Sequence, residues 1–179
     1  MTDNDMSVAA YRPGLGRLVK DHLTQYCGSG GREGHIIDTT SFRNPRFTPT
    51  LVLQTRGRRT GKLRRVPLGY GLLGPEWVLI GTKGGTPEHP AWYLNLLDHP
   101  ECEMQVGPQV FRCSWREAEG EERQRAWDYM CGLYPLVARY ERVAANRQIP
   151  VIMLRPLEEM PAFTGDAEWV QEGPDLKGR

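Results

Sequence analysis

The sequence predicts an α+β protein in which about six short strands form an antiparallel sheet, closed as a barrel, with helices packed around it. Two observations predict this class. Runs rich in apolar and β-branched residues recur at strand length, separated by turn residues such as Gly74-Pro75 and Gly107-Pro108. Longer segments with apolar residues at helical spacing lie between these runs. The length of 179 residues suits one domain.

The elements follow one another in a simple order. Residues 1–50 are predicted to hold a leader, an amphipathic helix over residues 14–26 and a loop. The barrel domain is predicted over residues 51–156, followed by a loosely packed tail over residues 157–179. Its strands are predicted at 50–55, 63–72, 77–83, 102–106, 110–115 and 149–154, and its helices at 90–97, 121–134 and 136–147.

Composition excludes several classes of protein. The four cysteines lack metal-ligand spacing, so we expect reduced thiols and no metal site; Cys102 and Cys113 are expected on neighbouring strands as buried thiols. Neither a signal peptide nor a membrane-length apolar run occurs. We therefore expect a cytoplasmic protein without stable membrane insertion. Peripheral contact of the first helix with the inner face of the membrane, and a monomer or homodimer, stay open.

A cluster of basic residues marks the turn after the first strand. Residues 51–83 hold seven basic residues and one acidic residue, although the whole chain has a formal net charge of +1. Arg58, Arg59, Thr60 and Arg64 lie in or next to this turn. Arginine suits phosphate and carboxylate groups because its planar fork donates two parallel hydrogen bonds. The alternatives are a solvated hairpin tip and a nucleic-acid or acidic-partner site; we expect no nucleic acid, because the basic residues sit at one turn.

The segment Lys83-Gly84-Gly85, which we call the glycine step, follows the third predicted strand. Lys83, Gly84 and Gly85 can expose backbone N–H groups as an anion-binding concavity, and the helix beginning near Pro90 adds its positive end. If residues 72–76 form a hairpin loop, Pro67, Gly69 and Gly71 make a bare face opposite residues 77–81. Such a face could bed a planar ring, whereas the alternative is a bend in the barrel.

The sequence lacks the motifs of self-sufficient chemistry. The histidines His22, His35, His89 and His99 are scattered, and the patterns of zinc proteases, serine hydrolases, P-loops and Rossmann folds are absent. Anion-binding groups without a nucleophile or metal site predict that the chemistry comes from a cofactor.

The stretch from residue 51 to residue 107 resembles the deazaflavin-dependent nitroreductase family. The resemblance rests on Gly57-Arg58-Arg59-Thr60-Gly61, Pro67-Leu68, Thr82-Lys83-Gly84-Gly85 and the segment from His89 to Leu96, and it continues loosely to residue 156. It implies a split β-barrel, the binding of coenzyme F420 and hydride transfer from the reduced cofactor to a quinone, enone or nitro compound. FMN is the alternative cofactor, and a non-catalytic deazaflavin carrier is the alternative function.

The resemblance also implies which residues bind the cofactor. Arg58, Arg59 and Arg64 would hold its phosphate or glutamate tail, and Lys83, Gly84 and Gly85 its phosphate or ring edge. The lining would come from Thr60, Pro67, Ile80, Gly81, Thr82, Trp92 and Asn95. Gly69 stands where family members often carry a bulkier residue, and Val137 lies between Tyr134 and Tyr140. The candidate proton donors are Tyr134, Tyr140 and Thr82, with Tyr93 as a further hydroxyl.

Overall fold

The computed structural model describes residues 15–38, 47–144, 147–163 and 168–169; the predicted leader lies outside this part of the chain. Its helices are α1 (Leu15–Gly28), α2 (Ala91–Asp98), α3 (Gly120–Leu133) and α4 (Leu136–Val143), and a single 3-10 turn spans Lys83–Gly85. Its strands are β1 (Ile36–Asp38), β2 (Phe47–Arg56), β3 (Leu63–Gly69), β4 (Gly71–Leu73), β5 (Glu76–Ile80), β6 (Cys102–Val106), β7 (Gln109–Glu117), β8 (Val151–Met160) and β9 (Glu168–Trp169).

The strands form one curled sheet in the order β4-β5-β8-β7-β6-β2-β3-β9, with β1 added to β2. Every pairing is antiparallel except that of β3 with β9. The strands β3 and β4 lie near opposite ends of this order, yet Tyr70 alone separates them in sequence. The sheet must therefore curl until its two ends approach. This geometry confirms the predicted antiparallel split barrel, and six of the strands described have five or more residues.

The strand β8 occupies the middle of the barrel wall, between β5 and β7. Residues Val151, Ile152, Met153 and Leu154 are all buried, because both faces of the strand are covered. Ile152 and Leu154 face the barrel interior, whereas Val151 and Met153 pack with α3 and α4 on the outside. The continuous apolar run in the sequence predicts this central position correctly.

The predicted pairing of residues 63–72 with residues 77–83 is wrong. The strand β3 pairs with β2, where Gly69 lies opposite Thr50 and Pro67 lies opposite Val52. Only the short strand β4 pairs with β5, and Gly71 lies opposite Val78 rather than Trp77. The chain leaves one end of the sheet at Tyr70 and joins the other end. The glycines therefore do not form a single bare face.

Each glycine of the predicted bare face instead admits a neighbouring part of the protein. A Cβ atom at Gly71 would lie 2.6 Å from Met130 Sδ on α3, and one at Gly69 would lie 3.2 Å from Thr48 Cγ2. A Cβ atom at Gly81 would lie 2.6 Å from Pro150 Cγ. These positions allow close packing at a bend of the barrel, which is the alternative interpretation of the same glycine pattern.

Three helix and strand ends also differ from the prediction. The helix predicted to reach residue 147 ends as α4 at Val143, and the strand predicted over 77–83 ends at Ile80. The strand β8 extends to Met160, beyond residue 156, so residues 157–160 are not a loosely packed tail. Leu157, Glu158 and Glu159 are exposed and Met160 is partly buried, so the sequence shows no alternating strand pattern here, although Glu158, Glu159 and Met160 pair with β7.

The helix α1 packs on the outer face of the barrel, as its apolar spacing predicts. Leu23 and Tyr26 are buried with Val52. The Tyr26 hydroxyl accepts a hydrogen bond from the Gly107 N–H group at 2.7 Å, so it fixes the helix to the β6–β7 hairpin. Cys102 and Cys113 lie opposite each other on β6 and β7 as free, buried thiols, which confirms their predicted placement.

Candidate cofactor-binding site

The basic turn between β2 and β3 is closed by its own backbone. The Gly57 N–H group donates to Lys62 O at 2.8 Å, and the Gly61 N–H group donates to Gly57 O at 2.7 Å. Arg56 Nη1 donates to Gly61 O at 2.9 Å. Gly61 has φ 67°, a left-handed value that glycine adopts without strain. The turn is therefore a defined support for the basic side chains that follow Gly57.

The basic side chains of this region separate into two groups. Arg58 is half-buried and Arg59 is exposed at the turn, where Arg64 Nη2 donates to Thr60 Oγ1 at 3.3 Å. Arg65 is buried elsewhere, because its Nε donates to Gln54 Oε1 at 2.8 Å and its guanidinium stacks on Phe163. The turn thus carries Arg58, Arg59 and Arg64 as a group, and Arg65 serves the packing of the sheet.

Asn95 fastens the basic turn to α2. Its side chain is only 3% exposed. Its Oδ1 accepts a hydrogen bond from the Arg58 N–H group at 3.1 Å, and its Nδ2 donates to Thr55 Oγ1 at 3.2 Å. One side-chain amide therefore fixes both the end of β2 and the residue that begins the basic segment. The sequence placed Asn95 in the site, but the described contacts are to the protein itself.

The glycine step is a sharp turn with an unusual backbone. Thr82 has right-handed helical angles (φ −67°, ψ −42°), whereas Lys83 has φ 45°, Gly84 has φ 64° and Gly85 has φ 78°. A right-handed residue followed by a left-handed one turns successive N–H groups toward a common side, which is the geometry of an anion-binding concavity. Lys83 is a non-glycine residue with positive φ, a conformation that is uncommon outside functional turns.

Arg147 stands behind the glycine step and was missed by the sequence analysis. Its Nη1 donates to Gly81 O at 3.0 Å, its Nη2 to Thr82 O at 2.7 Å and its Nε to Thr86 O at 3.0 Å. The helix α4 packs here too, because a Cβ atom at Gly85 would lie 3.0 Å from Val143 Cβ. A single arginine near a helix end has no sequence signature, so only the fold reveals this role.

The helix α2 brings the basic turn and the glycine step together. At its start, Pro90 lies against Gly81, where a Cβ atom would be 3.3 Å from Pro90 Cγ. Asn95 holds Arg58 one and a half turns later. The helix therefore contacts both the basic turn and Gly81, just before the glycine step, at positions five residues apart. Both were predicted as one anion pocket, and α2 is the element that links them.

The remaining predicted lining residues take different positions. Trp92 is 1% exposed and packs in the barrel core, so core packing explains it and no exposed ring face is available. Pro67 is half-buried in β3, and Ile80 is half-buried at the end of β5. Gly81 is buried, and its N–H group donates to Pro150 O at 2.9 Å. Ile80, Gly81 and Thr82 therefore lead directly into the glycine step, whereas Pro67 lies on another strand.

The candidate proton donors are not equivalent. Tyr134 is buried, and its hydroxyl donates to Tyr70 O at 2.6 Å, where it stabilises the bend between β3 and β4. Burial raises the pKa of Tyr134 to about 12. The Tyr93 hydroxyl is also engaged in a hydrogen bond, because it donates to Glu117 Oε2 at 2.7 Å. Thr82 is half-buried and directly precedes the glycine step. Tyr140 approaches the step through its backbone, since a Cβ atom at Gly85 would lie 3.2 Å from Tyr140 O, whereas its side chain packs against the core on the outside of the barrel and burial raises its pKa.

A group of charged residues surrounds His89 beside the same step. Burial lowers the pKa of His89, and the positive charge of Arg147 lowers it further, although Glu117 acts in the opposite direction. The His89 ring centroid lies 5.1 Å from that of Tyr93. Lys83 Nζ lies 3.6 Å from Glu88 Oε2. The lowered pKa favours the neutral form of His89 beside these cationic groups.

Among the described residues, no group of acidic, cysteine or histidine side chains could hold a metal ion. In the same part of the chain, no helix is both long and apolar enough to cross a membrane. An antiparallel split barrel with a basic turn and a left-handed glycine step has the features expected of a protein that binds an anionic cofactor.

Comparison with known proteins identifies the family. Residues 19–156 match the F420H(2)-dependent quinone reductase family, and the chain belongs to it. An F420H(2)-dependent quinone reductase of Mycobacterium tuberculosis H37Rv is 31% identical over 140 residues, which cover 77% of this chain and 89% of the relative. A quinone reductase of the same name in the CDC 1551 strain shows the same identity and coverage.

Solved structures agree with this assignment. The F420-H2 dependent reductase FDR-A is 35% identical, covers 60% of this chain and 94% of its own length, and superimposes with a TM-score of 0.55. A second structure, described as a domain-swapped dimer, is 30% identical and covers 78% of this chain and 98% of its own, with a TM-score of 0.57. The resemblance to a deazaflavin-dependent family is thereby confirmed.

Proposed function

We propose that this protein is a coenzyme F420-dependent oxidoreductase that transfers a hydride from the reduced cofactor to a small organic acceptor, with a quinone as the favoured acceptor. Its membership of the F420H(2)-dependent quinone reductase family supports the activity. The observation that carries the proposal is structural. The helix α2 holds the basic turn through Asn95 and contacts Gly81, which lies just before the glycine step, through Pro90; these contacts support our proposal that the two features bind one ligand.

The chemistry of the donor set fits the cofactor. Coenzyme F420 joins a deazaflavin ring to a phosphodiester and an acidic oligoglutamate tail, so it needs anion-binding groups along its length. Arg58, Arg59 and Arg64 offer guanidinium groups suited to carboxylates. Lys83 and Gly84 offer backbone N–H groups suited to phosphate. We assign the tail to the basic turn, with Thr60 positioning Arg64, and the phosphodiester to the glycine step.

The ring itself is assigned to the neighbourhood of Ile80, Gly81 and Thr82, which lead into the glycine step. Pro67 stays a proposed lining residue, and Asn95 acts by holding the turn. Trp92 contributes by filling the core beneath α2 rather than by direct contact. When it is bound, the reduced deazaflavin ring supplies the hydride.

In this proposal the protein orients the cofactor and the acceptor and supplies a proton to the acceptor. Thr82 directly precedes the glycine step, and the backbone of Tyr140 lies beside Gly85. We propose that one of these two hydroxyl groups donates a hydrogen bond to the oxygen of an acceptor. Burial raises the pKa of Tyr140, so its phenol holds its proton at neutral pH. The Tyr134 hydroxyl is engaged with Tyr70 O, so its use would require breaking a 2.6 Å hydrogen bond. We therefore favour Tyr140 and Thr82 and place Tyr134 third.

We further propose that the protein forms a homodimer in the cytoplasm. A relative of 30% identity has been solved as a domain-swapped dimer. The four cysteines are free thiols, which suits a reducing compartment. Peripheral contact with the membrane would bring the protein close to lipid-soluble quinones. Sedimentation of the purified protein tests the homodimer, which a monomeric mass would contradict. Sedimentation with vesicles tests the membrane contact, which is contradicted if the protein stays in the supernatant.

The central experiment titrates the protein with F420 and with FMN and then supplies acceptors to the reduced complex. We expect binding of F420, little binding of FMN, and reoxidation by a quinone that is followed by absorbance. Tight binding of FMN alone would replace the proposal with a flavin enzyme. Binding of reduced F420 without reoxidation by quinones, enones or nitro compounds would favour a carrier. Tyr140→Phe and Thr82→Val are expected to lower kcat while retaining binding.

A further inference from the structure

We propose that Arg147 positions the phosphate-binding amides of the glycine step and so determines the affinity of the site for the phosphodiester of its cofactor. This inference rests on the proposed function, and it assigns a role to a residue outside the basic turn. The three hydrogen bonds from Arg147 to Gly81 O, Thr82 O and Thr86 O are its structural basis. They span the whole length of the step.

The direction of the peptide groups makes the link to binding. In a trans peptide, the carbonyl of one residue and the N–H group of the next point in opposite directions. Arg147 Nη2 donates to Thr82 O at 2.7 Å, so the Lys83 N–H group points away from Arg147. The Thr82 carbonyl also accepts from the Gly85 N–H group at 2.9 Å. The Lys83 amide is therefore fixed by the bonds that hold the carbonyl behind it.

The same bonds sustain an unfavourable backbone. Lys83 adopts φ 45°, although side chains other than glycine rarely adopt such values. A conformation of this kind persists only when surrounding contacts enforce it. Arg147 supplies such contacts with a planar, permanently charged fork that reaches several carbonyls at once. It also leaves a positive charge behind the amides, which favours an anion on their other side.

Lysine and alanine variants test this role against a matched control. F420 binding is measured by fluorescence titration for wild type, Arg147→Lys, Arg147→Ala and Arg123→Ala. Arg123 is the control because its Nη2 also donates to a backbone carbonyl, Ile149 O, at 3.1 Å, but on α3. Both Arg147 variants are expected to weaken binding about tenfold or more, as for other residues that orient ligand-binding atoms. Lysine keeps the charge but cannot reach three carbonyls, and Arg123→Ala is expected to bind as wild type.

A truncated ligand separates positioning from general damage. The deazaflavin with its ribityl chain, but without phosphodiester or tail, should lose much less affinity than F420 in the Arg147 variants, because it makes no contact with the amides of the glycine step. Equal weakening of both ligands, or wild-type affinity of a folded Arg147 variant for F420, would overturn the inference. If Arg147→Ala does not fold, Arg147→Lys decides. Failure of wild type to bind F420 would instead overturn the proposed function.

Discussion

Replacement of Asn95 by leucine should show how the basic turn is held. Leucine matches asparagine in shape but removes both side-chain hydrogen bonds of a residue that is 3% exposed. The buried Thr55 hydroxyl and the half-buried Arg58 amide then lose their partner. A buried polar group without a partner costs about 1–3 kcal/mol, so we expect the free energy of unfolding to fall by about 2–4 kcal/mol because water can reach the Arg58 amide.

Two assays separate the two hydrogen bonds. Thermal unfolding should show a lower Tm by roughly 5–15 °C, since 1 kcal/mol shifts the Tm of a domain of this size by about 2–4 °C. Hydrogen exchange at the Arg58 amide should accelerate in Asn95→Leu but not in Thr55→Val, which removes only the threonine hydroxyl. Asn95→Leu should cost less in the Thr55→Val background, because that hydroxyl is no longer left alone.

We expect the Asn95 side chain to affect cofactor binding as well. If the amide holds the basic turn in place, Asn95→Leu should weaken F420 binding at a temperature where the variant is fully folded. Unchanged exchange at the Arg58 amide and a Tm within 2 °C, roughly the effect of less than 1 kcal/mol, would refute it. A lower Tm with unchanged F420 affinity would leave Asn95 a purely structural residue.

Three further predictions concern charge, closure and pH. Arg58→Ala combined with Arg59→Ala should weaken F420 binding and make the remaining affinity less dependent on salt, since exposed charges are screened over about 8 Å at physiological ionic strength. Titration with F420 at two salt concentrations checks this. Unchanged affinity would exclude a role of these arginines in cofactor binding. Tyr134→Phe leaves the Tyr70 carbonyl without its donor and should cost about 1–2 kcal/mol in urea unfolding; full stability would contradict the contact. The pKa of His89 is lowered from 6.5, so between its folded pKa and 6.5 the unfolded state binds more protons and the free energy of unfolding rises with pH. The free energy of unfolding of His89→Gln, measured against pH, should lack this rise. Identical pH profiles of the variant and wild type would contradict the prediction.

Local patterns in the sequence predict most of the fold. The spacing of apolar residues gives α1 and α3, and the run from Ile149 to Leu154 gives the central strand, because each depends on residues that are close in the chain. The predicted pairing of residues 63–72 with the strand at 77–83 failed, because β3 ends at Gly69 and pairs with β2, and only the short strand β4 pairs with β5. A glycine at Gly71 looks the same in sequence whether a ligand or helix α3 approaches it.

The sequence indicated those parts of the candidate site that carry a cluster of charge or a glycine pattern. The basic turn and the glycine step are both visible as residue types, and the structure shows that α2 contacts the turn through Asn95 and Gly81 through Pro90. That they form one pocket stays a prediction. The contacts of Asn95 and Arg147 were not predictable, because both act through backbone groups that only the fold brings near. Trp92 was expected at the ligand, but a tryptophan can equally well pack in a hydrophobic core, and Trp92 is buried in the core of the barrel.

The position of β8 has a consequence for how the chain is made. The ladders β2–β3, β4–β5 and β6–β7 each join segments that are close in sequence, so they can form early. The gap between β5 and β7 stays open until β8 arrives from the last third of the chain. Until then a growing chain on the ribosome exposes two apolar strand edges. Completion of the barrel must therefore await the release of residues 151–160, and chains that end earlier are expected to aggregate.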